Sequence, residues 1–450
     1  MTASLKTKAP DMMSGAYRAV WRWHFYAGVL VMPFLMLLTL TGGLYLFKDE
    51  IDHAVYRSMI QVPASAQQAD PDQWLAAAAR ANVLVPDRAD QAVRVRVDRP
   101  DGAQRTVFVD PHTATVTGVT AYGGVTETIK KLHSLTLFGG PIGTALNILV
   151  EIIAGWAIIL CATGIYLWWP RRRVAAVLKP SQSDASRRPF WRDVHALTGF
   201  YVGGVIIFLA VTGMPWSAVW GDRFMGVMRD TGLGRPPAPA AASPWSHAKP
   251  HDAPADVGWT LENAVMPAHG HGVASLTRVL ETAQAQALPR PFTVSIPRSS
   301  DLAWTVSRQT RKAEDARSLY VDGATGAVKA DLRWSQFGVM AKGFEWGIAV
   351  HQGTQYGWIN RIVMLIGCIA VWLLAISGLI MWWKRRPPSL SRRLAGAPPA
   401  PPGPRARIAV LCIVIPLSIL YPLTGLSLVA ALLLDRAVRA FAGSKPVAAS

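Results

Sequence analysis

The sequence predicts a membrane α-helical bundle of five transmembrane helices, built on an internal duplication and carrying two external α+β modules. Three observations predict it. Of 450 residues, 51% are hydrophobic and only 16% charged, which is too apolar for a soluble domain of average composition. Five stretches reach the roughly 20 apolar residues that a bilayer crossing needs. The histidine and glycine spacing of the first half recurs in the second.

The spans are taken in order. Phe25–Phe47 carries no Asp, Glu, Lys or Arg. Its apolar core is too long for a cleavable signal peptide and no small-x-small site follows, so it reads as an uncleaved anchor. Ile152–Pro170 is equally free of charge, with Glu151 just outside it. Val194–Gly221, Ile362–Trp383 and Ile408–Leu434 complete the set.

Basic residues orient the spans. Segments 1–23, 170–192 and 384–407 together hold 18 basic and 2 acidic residues, which accounts for +16 of the net +18. If every span crosses, these segments share one side, and short loops rich in Lys and Arg stay in the cytoplasm. The amino terminus is then cytoplasmic and the tail 435–450 external. The basic excess is a topology signal and calls for no nucleic acid. Three cysteines without a C-x-x-C pair exclude a disulfide framework and offer no zinc or thioredoxin motif.

Segments 48–130 and 222–345 are then external, and each leads through an approach, 131–151 or 346–361, into the following span. In the first, a helix-like Gln73–Ala81 precedes the alternating runs Val93–Val97 and Thr106–Val109. In the second, Ala274–Ala285 precedes Thr293–Ile296, Trp304–Val306 and Ser318–Val321. Such alternation predicts half-exposed strands. The Pro/Ala-rich runs Arg235–Pro244 and Ala397–Pro404 read as linkers.

The repeat is the most informative feature. His24 is followed by Gly28 and Thr41-Gly42, and His195 by Gly199 and Thr212-Gly213, at identical spacing. His133 precedes a helix containing Thr163-Gly164 and ending Trp168-Trp169; His351 precedes one containing Ser377-Gly378 and ending Trp382-Trp383. Val107–Thr113 corresponds to Leu319–Thr325. The unit is helix, module, helix, used twice, and the fifth span stands outside it.

Four of ten histidines thus fall into two pairs at matched depth, His24 with His195 and His133 with His351. A single histidine at a membrane interface is ordinarily a polar anchor, and small residues in membrane helices ordinarily serve close packing. Matched spacing in duplicated context favours axial ligands of haem iron instead. Each imidazole gives one nitrogen to iron, and the other needs a partner that fixes the tautomer. Gly28 and Gly199, one turn from His24 and His195, leave room for a flat porphyrin, as do the Thr-Gly and Ser-Gly pairs. No carboxylate or cysteine at these depths would complete a directly bound metal site. Glu151 is a capping or interfacial residue, with a proton or substrate role as the alternative. His247 with His251 and His269 with His271 read as parts of a solvated loop rather than as metal sites.

These residues resemble the PepSY-associated transmembrane family, which includes iron-regulated inner-membrane proteins and ferric-siderophore reductases. The resemblance rests on the Trp-Arg-x-His start of the first span, on Trp191-Arg192-Asp193-Val194-His195, and on Leu132-His133 with Gly139 and Gly143. It rests also on Val350-His351 with Gly357, on the Thr/Ser-Gly-x3-Trp-Trp endings and on the Val-Asp-x-x-Thr hairpins, and it covers roughly residues 17–386. Tyr421–Gly425 and Leu434-Asp435-Arg436 look like the extra carboxyl-terminal helix of some members. One departure is Ala114, where the second hairpin has Gly326. The resemblance implies two periplasmic PepSY-like modules, two b-type haems on His24, His195, His133 and His351, and reduction of ferric siderophore iron at the periplasmic face of a bacterial inner membrane.

The leading expectation is therefore a di-haem electron-transfer protein, a ferric-siderophore reductase, embedded in membrane lipid. No dinucleotide motif occurs and the cytoplasmic segments are too short for a flavin domain, so the electron donor is another protein or a quinol. The rivals are a siderophore or iron permease, disfavoured by spans almost without buried charge, and a membrane-anchored regulatory or binding protein, which leaves the paired histidines unexplained.

Overall fold

The computed structural model describes residues 12–76, 82–99, 102–168, 180, 183–234, 272–297, 302–385, 408, 411–412, 415–416 and 418–443. The linkers at 235–244 and 397–404 and the histidines at 247, 251, 269 and 271 lie outside them.

The helices in chain order are α1 (Met12–Tyr45), α2 (Lys48–Val55), α3 (Arg57–Ile60), α4 (Pro71–Ala76), α5 (Gly124–His133), α6 (Gly140–Trp168), α7 (Arg188–Gly213) and α8 (Trp220–Asp230), then α9 (Leu276–Ala285), α10 (Val339–His351), α11 (Gly357–Trp383) and α12 (Pro422–Gly443). The strands are β1 (Asn82–Val85), β2 (Val93–Asp98), β3 (Gln104–Val109), β4 (Val116–Ala121), β5 (Phe292–Ser295), β6 (Trp304–Arg308), β7 (Arg317–Val321) and β8 (Val328–Arg333). The chain divides into two compact units: Met1–Gly42 with Leu132–Asp222 and Met364–Ser450, and Gly43–Lys131 with Arg223–Val363.

The first unit is helical. Four helices, Ala16–Tyr45, Gly140–Trp168, Arg188–Trp216 and Gly357–Trp383, are long and apolar enough to cross a membrane. The fifth expected span, Ile408–Leu434, falls partly outside the described residues; the described helix starts at Pro422, after a bend at Tyr421. Helices begin earlier than the charge-free runs, because a helix terminus tolerates polar residues that the hydrocarbon does not. Glu151 accordingly sits well inside α6, not ahead of the span as its charge alone suggests.

Packing in this unit uses small residues and aliphatic ridges. Ala19, Val20, Ala27 and Val31 of α1 meet Ile153, Trp156 and Ile159 of α6 and Leu428 of α12. Ala157, Ile206 and Val371 join α6, α7 and α11. A Cβ on Gly367 would lie 2.8 Å from Val205 Cγ1, so α7 and α11 approach as closely as glycine permits.

The second unit is built on one antiparallel sheet of eight strands in the order β4-β3-β2-β1-β5-β6-β7-β8. The two strand sets meet at β1 and β5, where Asn82, Val83, Leu84 and Val85 pair with Ser295, Val294, Thr293 and Phe292. Alternation sends Val83, Val95, Val107, Val294, Val306 and Leu319 to one face, where Trp74 of α4 and Leu276 and Val279 of α9 cover them. The two helices are tied at their starts. Asp72 Oδ1 accepts from Leu276 N–H at 2.5 Å, and Asp72 Oδ2 accepts from the Ser275 hydroxyl at 2.6 Å, so one module caps the helix of the other.

The paired hairpins close alike. Ala114 N–H donates to Asp110 O at 2.9 Å, and Gly326 N–H to Asp322 O at 2.7 Å. Ala114 takes φ 56° and Gly326 φ 76°. Alanine at 114 thus leaves the turn intact, at the steric cost that a non-glycine residue carries in the left-handed region. Strands β1, β4 and β8 had no clear alternation in the sequence. β4 and β8 are the edge strands, and nearly all their side chains are half-buried or exposed, so neither face needs the apolar row that marks a covered strand.

Candidate functional site

His24 lies in the third turn of the apolar stretch Ala16–Tyr45 of α1 and His195 near the start of α7. Their imidazole centroids are 6.3 Å apart with the rings nearly perpendicular, 86°. The sequence-expected pair is thus brought together inside the helical unit.

The Nδ1 atoms are turned away from each other's helices. His24 Nδ1 lies 2.9 Å from Thr163 Oγ1 on α6. That hydroxyl donates its own proton to Ile159 O at 2.7 Å, so it accepts from the imidazole. His195 Nδ1 lies 3.0 Å from Leu374 O and 3.1 Å from Ser377 Oγ on α11. A carbonyl only accepts, so this Nδ1 also carries the proton. Both Nε2 atoms are left with the lone pair, the form a metal ligand requires.

His133 ends α5 and repeats the arrangement. Its Nδ1 donates to Leu38 O at 2.9 Å and lies 3.1 Å from Thr41 Oγ1, whose proton goes to Leu37 O at 2.8 Å. His351 ends α10 in the second unit. The Asn360 side chain donates to the carbonyl of Val350, the residue before it, at 2.9 Å.

The glycines explain how rings reach these helices. A Cβ on Gly164 would lie 3.4 Å from His24 Cε1, one on Gly378 3.8 Å from His195 Cε1, and one on Gly42 3.1 Å from His133 Cε1. Thr41-Gly42, Thr163-Gly164 and Ser377-Gly378 therefore act on the histidines, the hydroxyl as acceptor and the glycine as seat. The sequence marked Thr41, Thr163 and Ser377 by repetition and depth, but read them as small residues against a porphyrin. Gly28 and Gly199 differ. Their added Cβ atoms would meet only Leu160 Cδ2 at 4.0 Å and Leu374 Cδ2 at 3.6 Å. Helix packing does not demand glycine at either position. Gly203 is buried, yet nothing lies within 4 Å of the place its Cβ would occupy.

These features fit a flat group held between two imidazoles. Two in-line ligands with metal–nitrogen bonds of about 2 Å put ring centroids about 6 Å apart, which is the spacing of His24 and His195. Gly28, Gly199 and Gly203 leave side-chain volume out of the same two helices. Among the described residues no cluster of three or more His, Cys, Asp or Glu side chains suits a directly bound metal ion.

Glu151 caps a helix. It is 1% exposed, and its Oε2 accepts from Val219 N–H at 3.2 Å and Trp220 N–H at 3.1 Å at the start of α8.

The model of the family described as the PepSY-associated TM region matches residues 21–385. No curated protein matches the chain.

Proposed function

The chain belongs to the PepSY-associated transmembrane family, and we propose that it is a di-haem b-type electron-transfer protein that reduces ferric siderophore iron outside the cytoplasmic membrane. The observation that carries the reading is the His24–His195 pair, 6.3 Å apart with both Nδ1 protons committed to α6 and α11. Haem, when bound, supplies a one-electron carrier whose potential the surrounding protein sets.

The residues divide the work. His24 and His195 hold the iron of one haem. Thr163, Ser377 and the Leu374 carbonyl fix the tautomer and the ring planes, and they raise the basicity of Nε2. Gly28 and Gly199, one turn from the two histidines, would leave space for the haem beside them. His133, anchored by Leu38 O and Thr41, and His351 supply the second haem by the sequence repeat, and we read the two halves as copies of one helix-module-helix unit. The fifth span completes the bundle. The basic segments keep the amino terminus in the bacterial cytoplasm and the tail in the periplasm. The electron donor is a quinol or another protein, and the sheet-bearing modules meet the ferric acceptor. Ferric iron grips oxygen ligands tightly, and one-electron reduction loosens that grip.

The test is a reduced-minus-oxidised absorbance spectrum of purified protein with haem quantification. The expected result is a b-type spectrum, about two haems per chain by the two histidine pairs, loss of one in His195→Ala, and reoxidation of the reduced protein by a ferric siderophore. A chain that carries no haem when haem is supplied during expression refutes the proposal.

A further inference from the structure

Glu151 does more than a cap needs. One oxygen accepts both α8 N–H groups, and the other, Oε1, is buried without a hydrogen-bond partner among the described residues. Serine, threonine or asparagine caps a helix without placing a carboxyl group in a membrane span, where an ionisable residue marks function by default.

It is not alone. Asn147, one turn earlier on the same face of α6, is 2% exposed, and its Oδ1 also lacks a partner. One turn after Glu151, Gly155 faces Thr424 of α12, whose Oγ1 would lie 2.0 Å from a Cβ at Gly155. Thr424 is 0% exposed and its Oγ1 is unpartnered too. Three unpartnered oxygens thus line positions 147, 151 and 155 of one helix. The row continues outward through polar groups: Asn147 Nδ2 donates to Ser134 O at 3.3 Å, and the Ser134 hydroxyl lies 2.6 Å from Thr136 Oγ1. Ser134 follows His133. A buried site with two to four polar partners is where water settles in a protein interior.

The row also breaks the repeat. Aligning Thr163-Gly164 with Ser377-Gly378 puts Leu365 at the position of Glu151. Thr424 comes from the one apolar helix outside the repeat. The carboxylate and the α12 contact at Gly155 are two additions to the shared scaffold, one turn apart along α6.

We propose that Glu151 is a proton-loading site, reached by water from the Ser134 end through Asn147 and closed from lipid by Thr424 of α12. The proposal rests on the electron-transfer reading above. When the protein takes up one electron from a quinol or protein donor, the Glu151 carboxylate takes one proton from external water and becomes a carboxylic acid. When the electron leaves to the ferric acceptor, the proton returns to that water. Charge is thereby balanced inside a low-dielectric region where an uncompensated electron is costly. The other titratable and charged groups on these elements, α8 and α12, are Asp222, Arg223, Arg229 and Asp230 of α8, Tyr421, which precedes α12, and Asp435, Arg436 and Arg439 in the second half of α12.

The test uses the full-length, haem-loaded protein. Midpoint potentials are titrated against pH for wild type, Glu151→Gln and Asn147→Leu, and redox-difference infrared spectra are recorded for each. Glu151→Gln keeps an acceptor for Val219 and Trp220. One haem potential of the wild type should fall with rising pH by up to about 59 mV per unit, the equivalent of a tenfold change for one electron. A carboxylic-acid C=O band should appear on reduction. Both should vanish in Glu151→Gln, and Asn147→Leu should keep the slope but slow proton uptake. A haem-loaded wild type with pH-independent potentials and no such band overturns the proposal, as does a slope that survives in Glu151→Gln. A purified chain without a haem spectrum overturns the electron-transfer reading, and the coupling with it, before any titration begins.

Discussion

Replacing Thr163 by valine isolates the hydrogen bond on which the proposed ligand role of His24 depends. Valine keeps the shape of threonine and removes only the oxygen. In the protein that oxygen accepts from His24 Nδ1 at 2.9 Å and donates to Ile159 O at 2.7 Å. Without it, Nδ1–H has no acceptor, and an unmet donor away from water costs about 1–3 kcal/mol. The imidazole can lower that cost by moving its proton to Nε2, which removes the lone pair from the side facing His195. Either route weakens ligation, and loss of such an orienting partner typically costs about 10- to 100-fold in metal affinity. Thr39→Val is the control. Thr39 Oγ1 donates to Leu35 O at 2.7 Å and Met36 O at 3.2 Å, so the same exchange on α1, the helix that carries His24, touches no histidine. The assay is haem titration of each purified variant, followed by absorbance and closed by pyridine haemochrome quantification. The Thr163 variant should lose about 10- to 100-fold in affinity at one of the two sites, and the Thr39 variant should match wild type. Equal affinities and identical spectra in both would refute the assignment of Thr163 as the partner of an iron ligand.

Three further outcomes follow from distances and charges already described. Gly42→Ala puts a methyl 3.1 Å from His133 Cε1, whereas Gly378→Ala puts one 3.8 Å from His195 Cε1; the first should displace its histidine and change one haem's spectrum, and the second should leave both spectra unchanged. Gly326→Ala should destabilise the sheet-bearing unit by about 2 kcal/mol in denaturant unfolding, from the left-handed φ and from a Cβ 3.0 Å from Thr282 Oγ1, while Ala114→Gly should be near neutral because strain relief offsets a lost half-buried methyl. His112 donates through Nδ1 to Gln67 O at 2.8 Å and through Nε2 to Ala89 O at 2.9 Å. The Ala89 carbonyl first, then that of Gln67, raises its pKa above the ordinary value. A raised folded-state pKa adds stability below the unfolded value, lost as pH rises through the folded one. The melting temperature should therefore fall with pH across that interval in wild type, and this part of the fall should be missing in His112→Gln.

Much of the helical unit was legible because lipid enforces simple rules. A span must be long and apolar, so Gly140–Trp168 and Gly357–Trp383 announce themselves. Their true starts did not, since charge-free length measures the hydrocarbon, while helix length is set by hydrogen bonding that continues past it. That difference hid Glu151 inside α6. The histidines were legible by repetition, a signal that survives without knowledge of contacts. The roles of Thr163 and Ser377 were not, because a hydroxyl beside a glycine in a membrane helix suits close packing, helix capping and imidazole anchoring equally. Only the 2.9 Å and 3.1 Å contacts to His24 and His195 separate these roles.

The joined sheet marks the deeper limit. Each module shows its own alternation, yet nothing in Asn82–Val85 or Phe292–Ser295 says that these strands pair with each other rather than with solvent or a second chain. Edge strands carry unpaired N–H and C=O groups whatever their side chains, and the partner is chosen by geometry that both modules share. Asp72 records that choice. A carboxylate at the start of α4 that caps α9 at 2.5 Å has a purpose only once the two modules lie side by side. Asp72→Asn keeps an acceptor for Leu276 N–H but weakens a charge-assisted bond, so its cost in unfolding should be smaller than that of Asp72→Ala. Were the two variants equally stable, the Asp72 charge would add nothing across the junction, and β1–β5 pairing with the shared apolar face would hold the modules together.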